Sequence, residues 1–147
     1  MKIWVDADAC PVAMRKILYK AAIRTETQVT LIANHSLPVP ASPLITMRQV
    51  PQGFDVADDE IVRLVEHGHL VITSDIPLAS EAIDKGATVL TGRGEILDKE
   101  NIRGLLSMRD FMDTLRGSGI QTGGQSALGQ PEIKKFADQL DRWLARL

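Results

Sequence analysis

Two aspartates directly follow the first apolar stretch of the chain. Asp6 and Asp8 come after Ile3, Trp4 and Val5, a run that is typical of a short buried strand. Successive strand side chains alternate between faces, so the two carboxylates share a side if the extended geometry continues through them. Two like charges that close repel unless a cation lies between them or one carboxyl takes up a proton. This stretch therefore predicts a cation site or a protonated acid.

Two further aspartates belong to other predicted elements. Asp75 comes directly after an apolar strand, and Asp58 lies on the first turn of the helix that precedes this strand. At about 100° per residue, Asp58 projects at the edge of its helix's apolar stripe and is aimed inward. Ligands bind outside the carboxyl ends of the strands in open α/β sheets, so we expect these acids to converge with Asp6 and Asp8. Carboxylate oxygens from separate segments suit Mg²⁺ or Mn²⁺, which makes all four aspartates candidate metal ligands.

The elements that must position these acids alternate between strand and helix. The strands are apolar nearly throughout, which indicates parallel pairing with both faces of the sheet covered. We predict an α/β three-layer sandwich with a mainly parallel five-stranded sheet, in which Arg48 and Gln49 mark the third strand as an edge. Strands one and four flank the topological switch point if the strand order is the usual one. The predicted strands are 3–5, 28–33, 44–50, 70–73 and 87–90, and helices begin near 11, 55, 76, 98 and 131.

Length and composition limit the class of protein. The chain has 147 residues, one cysteine and a formal net charge of −2. We predict a single domain, residues 1–147, on which the helix at 131–147 docks. Because no apolar run approaches ~20 residues, no secretory signal pattern is present and one cysteine cannot form an internal disulfide, we expect a cytoplasmic protein with no membrane partner. The net charge excludes a broadly basic nucleic-acid-binding protein and leaves room for a local basic face.

Helix capping is the alternative explanation for some of the acids. Asp8 and Asp75 are each placed to cap a following helix, and Asp55 with Asp58 forms a variant of a capping box. Capping explains Asp6 poorly, and it does not explain the inward angle of Asp58. The complete set therefore favours a metal over capping alone.

The other metal-binding and nucleophilic residue types give weaker signals. His35, His67 and His69 lack zinc-ligand spacing, and Cys10 has no cysteine partner, so zinc is not expected. With no histidine partner evident, Cys10 is interpreted as a small packed residue rather than a nucleophile. Trp4 is interpreted as a core residue.

Arginines supply candidate phosphate ligands, because the planar guanidinium donates two parallel hydrogen bonds. Arg93 lies between two glycines in the loop after the fifth strand, and Arg109 shares a face of the next helix with Arg116. We take Arg93 and Arg109 as candidate substrate-binding residues. The basic residues of the first helix lie mostly opposite its apolar stripe and are interpreted as a solvated surface: Arg15, Lys16, Lys20 and Arg24.

Five segments give the chain a family resemblance: IWVDADACPV, FDVADDEIV, LVITSDIPLA, the TGRG loop with ENI after it, and RGSGIQTGG. On these segments, which are spread over residues 3–124 in the family's order, the chain resembles the YaiI/YqxD family of bacterial proteins. That family is similar to PIN-like domains, which are metal-dependent nucleases. The resemblance implies a PIN-like fold in which Asp6, Asp58 and Asp75 surround Mg²⁺ or Mn²⁺, with Asp8 as an additional acid. Typical PIN domains have a fourth acid shortly after the third, where this chain has 76–80 without an acid and then Glu81.

Three functions are compatible with these residues. The first is a Mg²⁺- or Mn²⁺-dependent phosphodiesterase acting on RNA or another nucleic acid through the four aspartates. The second is a phosphatase of the haloacid-dehalogenase kind, with Asp6 as nucleophile, Asp8 as general acid, and Thr73 or Ser74 in place of that class's second motif. This class's later lysine and Gly-Asp-x-x-x-Asp segment are missing here. The third is a non-catalytic nucleic-acid- or protein-binding module of degenerate PIN-like fold, in which the glycine-rich stretch 117–130 forms a functional or mobile loop.

Overall fold

In the part of the chain that the structure describes, six strands form one sheet in the order β3-β2-β1-β4-β5-β6. The structure is a computed structural model that describes residues 2–53, 56–117 and 129–146, with the side chains of Ala9 and 109–117 left out of the description. Every neighbouring pair is parallel except β5 and β6, which are antiparallel. The strands are β1 Lys2–Asp6, β2 Gln28–Ala33, β3 Ile45–Gln49, β4 Leu70–Ile72, β5 Thr88–Leu90 and β6 Ile96–Leu97.

Helices connect most of these strands, as expected for parallel pairing. The helices in the described ranges are α1 Val12–Thr25, α2 Val56–Leu64, α3 Ile76–Asp84, α4 Lys99–Gly117 and α5 Gln130–Ala145, and a single 3₁₀ turn spans Ala7–Ala9. The first helix ends at Glu26, whose φ of 54° is left-handed and whose backbone N–H donates to the carbonyl of Ala22. None of the described helices combines the length and apolar character that crossing a bilayer requires.

Two hydrophobic clusters lie against the sheet, and β1 contributes to both. Ile3 and Val5 belong to the cluster that includes residues of α1 and α5. Trp4, which lies between them in the strand, belongs to the cluster that includes residues of α2, α3 and α4. Side chains of a strand alternate between faces, so helices cover the sheet on each side of β1. This double burial explains why the strands are apolar nearly throughout.

The C-terminal helix α5 packs against α1. Its apolar stripe is buried, with Phe136 and Leu140 fully inaccessible to solvent. At the surface, the Arg24 guanidinium of α1 lies 2.8 Å from the Asp141 carboxylate of α5. The helix is thus held by apolar burial, and the exposed ion pair adds little.

The sequence prediction differs from the structure in the strand count. The predicted sheet has five strands, and β6 is missed because two residues are too short to show a periodic pattern. The position of β3 at an edge and the pairing of β1 with β4 are confirmed. Asp55 and residues 118–128 of the predicted glycine-rich loop lie outside the described residues, while Gly117 is the last residue of α4.

Candidate functional site

Asp6 ends the central strand β1 and is buried at the carboxyl edge of the sheet, with an exposed fraction of 7%. The parallel register of Val5 with Ile72 brings Asp6 beside the residue that follows β4. There the Thr73 hydroxyl donates a 2.9 Å hydrogen bond to Oδ2 of Asp6. Burial raises the pKa of Asp6, the Thr73 hydrogen bond opposes that shift, and the charges of Asp75 and Asp8 raise the pKa further. A cation at this carboxylate would relieve both the burial and the repulsion.

Thr73 joins Asp6 to Asp75. The Thr73 hydroxyl donates a hydrogen bond to Asp6, and its oxygen accepts a 3.0 Å hydrogen bond from the backbone N–H of Asp75. The Asp75 carboxylate in turn accepts a 3.0 Å bond from the Leu78 backbone N–H through Oδ1, which makes it the N-cap of α3. The capping alternative is therefore confirmed for Asp75, and the same carboxylate also acts on the charge of Asp6.

Two substitutions separate these two roles of Asp75. Asp75→Asn keeps the side-chain oxygen that caps α3 and loses the charge, so it is expected to leave the free energy of unfolding nearly unchanged. Asp75→Ala loses both and is expected to cost about 1 kcal/mol. Urea denaturation measures the difference in the free energy of unfolding. The affinity for Mn²⁺, measured as the increase in melting temperature during a titration, is expected to fall equally in both variants. Equal stability of the two variants would contradict the capping role.

Asp8 lies on the 3₁₀ turn that follows β1. The strand geometry ends at Asp6, so the condition under which both acids would share one side of the strand is not met. The first helix begins after Pro11 with no side-chain cap, so the prediction that Asp8 caps it is wrong. Its carboxylate is exposed and lies beside His35, the second residue after β2. Oδ1 of Asp8 is 3.4 Å from Nδ1 of His35. Sequence spacing gave no sign of this pair, because it depends on how the turn bends.

Asp58 lies on the first turn of α2, which packs against β1, β2 and α3. It is half-buried, consistent with a position at the edge of the apolar stripe. Within the described residues, no three carboxylate, imidazole or thiol groups form a cluster that could hold a metal ion. Asp6, Asp8 and Asp75 interact electrostatically at one edge, and the predicted convergence of all four aspartates stays a prediction.

Arg93 lies in the tight turn between β5 and β6. The Thr91 hydroxyl oxygen accepts bonds from the backbone N–H groups of Arg93 and Glu95 at 3.2 and 3.1 Å, which fixes the turn. The Arg93 guanidinium is 3.6 Å from the carboxylate of Glu132 on α5. The turn is therefore tied to α5, and a phosphate would compete with Glu132 for this guanidinium. Arg109 lies on α4, and its side chain is outside the described residues.

The interpretation of Cys10 and Trp4 as packed residues is confirmed. Burial raises the pKa of the Cys10 thiol to about 12, which keeps it protonated and poorly nucleophilic. The Trp4 indole donates a 3.0 Å hydrogen bond to Nδ1 of His69, so this histidine serves the core. From the sequence, Thr73 belongs to the Thr-x-Asp segment of the PIN-like resemblance and is a candidate for a phosphatase motif, and neither predicts its hydrogen bond to Asp6.

The fold and this edge define an α/β protein in which a buried aspartate is repelled by two further aspartates at the carboxyl ends of a mostly parallel sheet. Residues 4–146 match the family model described as uncharacterized BCR, YaiI/YqxD family, and the chain belongs to that family. It is 57% identical over 146 residues to a UPF0178 protein of Shewanella woodyi, covering 99% of this chain and 97% of the relative. A UPF0178 protein of Colwellia psychrerythraea is 59% identical over 142 residues, covering 97% and 94%. No solved structure matches the chain significantly.

Proposed function

We propose that the protein is a metal-dependent phosphodiesterase that cleaves RNA or another nucleic acid at the edge formed by Asp6, Asp8 and Asp75. The observation that carries this proposal is the state of Asp6. Its carboxylate is buried, faces two further acids and is held by a threonine rather than by a basic side chain. Such a group favours a bound proton or a bound cation, and oxygen-only ligands of this kind suit Mg²⁺ or Mn²⁺.

Carboxylate oxygens are the ligand type that a hard divalent cation prefers, and in this proposal the cation draws Asp8 and Asp75 closer to Asp6 than they lie in the structure. In the contacts described, Asp6 uses Oδ2 for Thr73, Asp75 uses Oδ1 for its helix cap, and Asp8 presents Oδ1 to His35. The second oxygen of each carboxylate makes none of these contacts. Asp58, on the first turn of α2, is proposed as a fourth ligand. When bound, the cation lowers the pKa of a water nucleophile and neutralises charge on the phosphoryl oxygens.

The protein's own residues would have separate roles around that cation. Thr73 holds Asp6 in place, and the N-cap bond holds Asp75, so both ligands are oriented before the cation binds. Arg93 and Arg109 are proposed to orient the phosphate. We also propose the finer fold class, a three-layer PIN-like sandwich, which the strand order and the two hydrophobic clusters support.

Cleavage of a labelled oligonucleotide tests this function. Purified protein with Mn²⁺ is expected to shorten a 5′-labelled single-stranded RNA, and excess EDTA is expected to abolish cleavage because the carboxylates alone cannot neutralise a phosphate. Mn²⁺ is also expected to raise the melting temperature, since a ligand that binds only the folded state stabilises it. Single-stranded DNA is tested in the same way. The proposal would be contradicted if Mn²⁺ produced neither cleavage of RNA or DNA nor a rise in melting temperature.

The phosphatase alternative has less support from the geometry. That reaction needs a threonine or serine hydroxyl free to contact the phosphate beside the nucleophilic Asp6. The Thr73 hydroxyl already donates to Asp6 and accepts from the Asp75 backbone N–H. The Ser74 hydroxyl oxygen accepts a 3.3 Å hydrogen bond from the Gly92 backbone N–H, which ties it to the turn after β5. Labelling of Asp6 by beryllofluoride, detected as a Mg²⁺-dependent thermal shift, would favour the phosphatase instead.

A further inference from the structure

A groove of about 590 Å³ lies between the edge strand β6 and the helices α4 and α5. Its lining is mainly apolar and includes Ile96, Leu97, Gly104, Leu105 and Met108. Met108 is a large apolar side chain that the fold leaves in solvent, with an exposed fraction of 56%. The volume lies within the range of pockets that hold small organic ligands, so the groove has room for a flat ring system.

Gly104 keeps the α4 wall of this groove open. A Cβ atom at this position would meet no heavy atom of the described residues within 4 Å, so the packing of α4 does not require a glycine. Glycine inside a helix is less favourable than alanine, which makes its presence here notable. Met108 lies four residues later on the same helix face, and its flexible thioether makes favourable contacts with aromatic rings. A planar ring in the groove would lie against the backbone at Gly104 and contact Met108.

A charged cleft of about 360 Å³ adjoins the groove, since Glu95 and Lys135 line both. Arg93 and Glu132 also line this cleft, and their charged groups lie 3.6 Å apart. This separation is longer than a hydrogen bond, so an incoming anion can compete with Glu132 for the guanidinium. Arg93 and Lys135 reach the cleft from different elements, the turn after β5 and the helix α5. Two cations that line one cleft suit a phosphate group.

The order of these groups matches the order of the parts of a ribonucleotide. A phosphate beside Arg93 and Lys135 and a base beside Gly104 would place the sugar between them, where Glu95 lines both compartments. A carboxylate in this position can accept hydrogen bonds from ribose hydroxyls, as acidic residues do in dinucleotide-binding folds. The side-chain amide of Gln139 lines the groove and offers a donor and an acceptor to the edge of a base.

Hydrogen bonds connect the charged cleft to the acidic edge. The backbone N–H of Gly92, the residue before Arg93, donates a 3.3 Å hydrogen bond to Oγ of Ser74. Thr73, the residue before Ser74, donates its hydroxyl proton to the carboxylate of Asp6. The turn that bears Arg93 is therefore fixed beside the residues that follow β4, at the edge of the sheet that bears Asp6.

We propose that the groove and the cleft together bind one ribonucleotide unit of the strand that is cleaved. The cleft holds its phosphate, Glu95 accepts hydrogen bonds from its ribose, and the groove holds its base. This inference rests on the proposed function and adds to it a surface for a base and a preference for ribose. A strand that is held by one base and its phosphate is presented to Asp6 in a single register.

Calorimetric titration in EDTA tests the two compartments separately, with adenosine monophosphate (AMP) and adenosine as probes. The wild type is expected to bind both, and AMP more tightly. Gly104→Met is expected to weaken the binding of both probes about tenfold, because the added side chain fills the space of the base. Lys135→Met is expected to weaken AMP about fivefold or more and to leave adenosine unchanged, because only AMP has a phosphate.

Two control variants make the same chemical changes outside the site. Ser107→Met adds the same side chain at an exposed position of α4 that does not line the groove. Lys134→Met removes the same charge from α5, at a residue that pairs with Asp138. Both are expected to bind AMP within about twofold of the wild type. Methionine is preferred over glycine in a helix, so Gly104→Met is expected to melt no lower than the wild type.

The ribose contact and the strand are tested with two further titrations. The wild type is expected to bind AMP several-fold more tightly than its 2′-deoxy form, and Glu95→Ala is expected to reduce that ratio to about one. A saturating single-stranded oligoadenylate is expected to abolish the heat of AMP binding, since the strand occupies the same site.

Four results would overturn the proposal: no binding of AMP, equal losses in Gly104→Met and Ser107→Met, equal losses in Lys135→Met and Lys134→Met, or no displacement of AMP by the oligonucleotide. The proposed function fails separately. Binding of AMP that depends on Gly104, without Mn²⁺-dependent cleavage, would contradict the nuclease alone. Cleavage of RNA by the wild type, with unchanged AMP affinity in Gly104→Met, would contradict the role of the groove alone.

Discussion

Asp6→Asn is expected to lower Mn²⁺-dependent cleavage roughly 100- to 1,000-fold while leaving the melting temperature at or above that of the wild type. The two effects have one cause. The Asp6 charge is buried and repelled by Asp75 and Asp8, so the folded protein without metal is destabilised by the charge that the cation requires. An amide keeps the size of the side chain and can still accept the hydrogen bond from Thr73.

The measurement combines a cleavage assay with thermal denaturation in EDTA, and Asp84→Asn is the matched control. Asp84 is an exposed acid at the end of α3, so its variant is expected to behave like the wild type in both assays. Asp6→Asn that retains full cleavage would show that the metal site lies elsewhere. A large loss of stability would instead show that the Asp6 carboxylate is needed for folding.

Gly94→Ala is expected to destabilise the protein by about 3 kcal/mol, measured by urea denaturation. Gly94 has φ of +85°, a conformation that is unfavourable for residues with a Cβ atom. An added Cβ would also lie 2.6 Å from the Phe136 backbone nitrogen and 2.8 Å from the Lys135 carbonyl carbon. The backbone of α5 would have to move away from the turn, which would disturb the burial of Phe136.

Gly104→Ala provides the control with the opposite sign. Gly104 lies inside α4, and a Cβ atom there would meet no heavy atom within 4 Å. Alanine is preferred over glycine in a helix, so this variant is expected to gain about 0.5–1 kcal/mol. If both variants shifted stability in the same direction by similar amounts, close contact at Gly94 would not be the cause.

Elements that bury a periodic pattern of apolar side chains could be predicted from the sequence. The bounds of β2 are those predicted, and the placement of Asp6 and Asp75 at neighbouring strand ends follows from parallel pairing. The apolar stripe of α5 predicted its docking, because a helix with such a stripe must bury it. These features depend on local spacing and on the hydrophobic effect, which are both visible in one sequence.

Features that depend on bends and on neighbouring elements could not be predicted. The 3₁₀ turn after Asp6 redirects Asp8 toward His35, and nothing in the spacing of these residues indicates the bend. The angle of Arg15 on its helix predicts a solvated position, yet the side chain is half-buried. Such differences arise because tertiary packing, rather than helix periodicity, decides the surroundings of a side chain at the edge of a stripe.

The two edges of the sheet also bear on how the protein behaves in a crowded solution. Unpaired strand edges are templates for aggregation with other chains. One edge here is β6, whose two residues offer a very short template. The other is β3, most of which is exposed and which includes the charged Arg48, a residue type that disfavours pairing with a further strand. A sheet with six strands is thereby protected against growth from one molecule to the next.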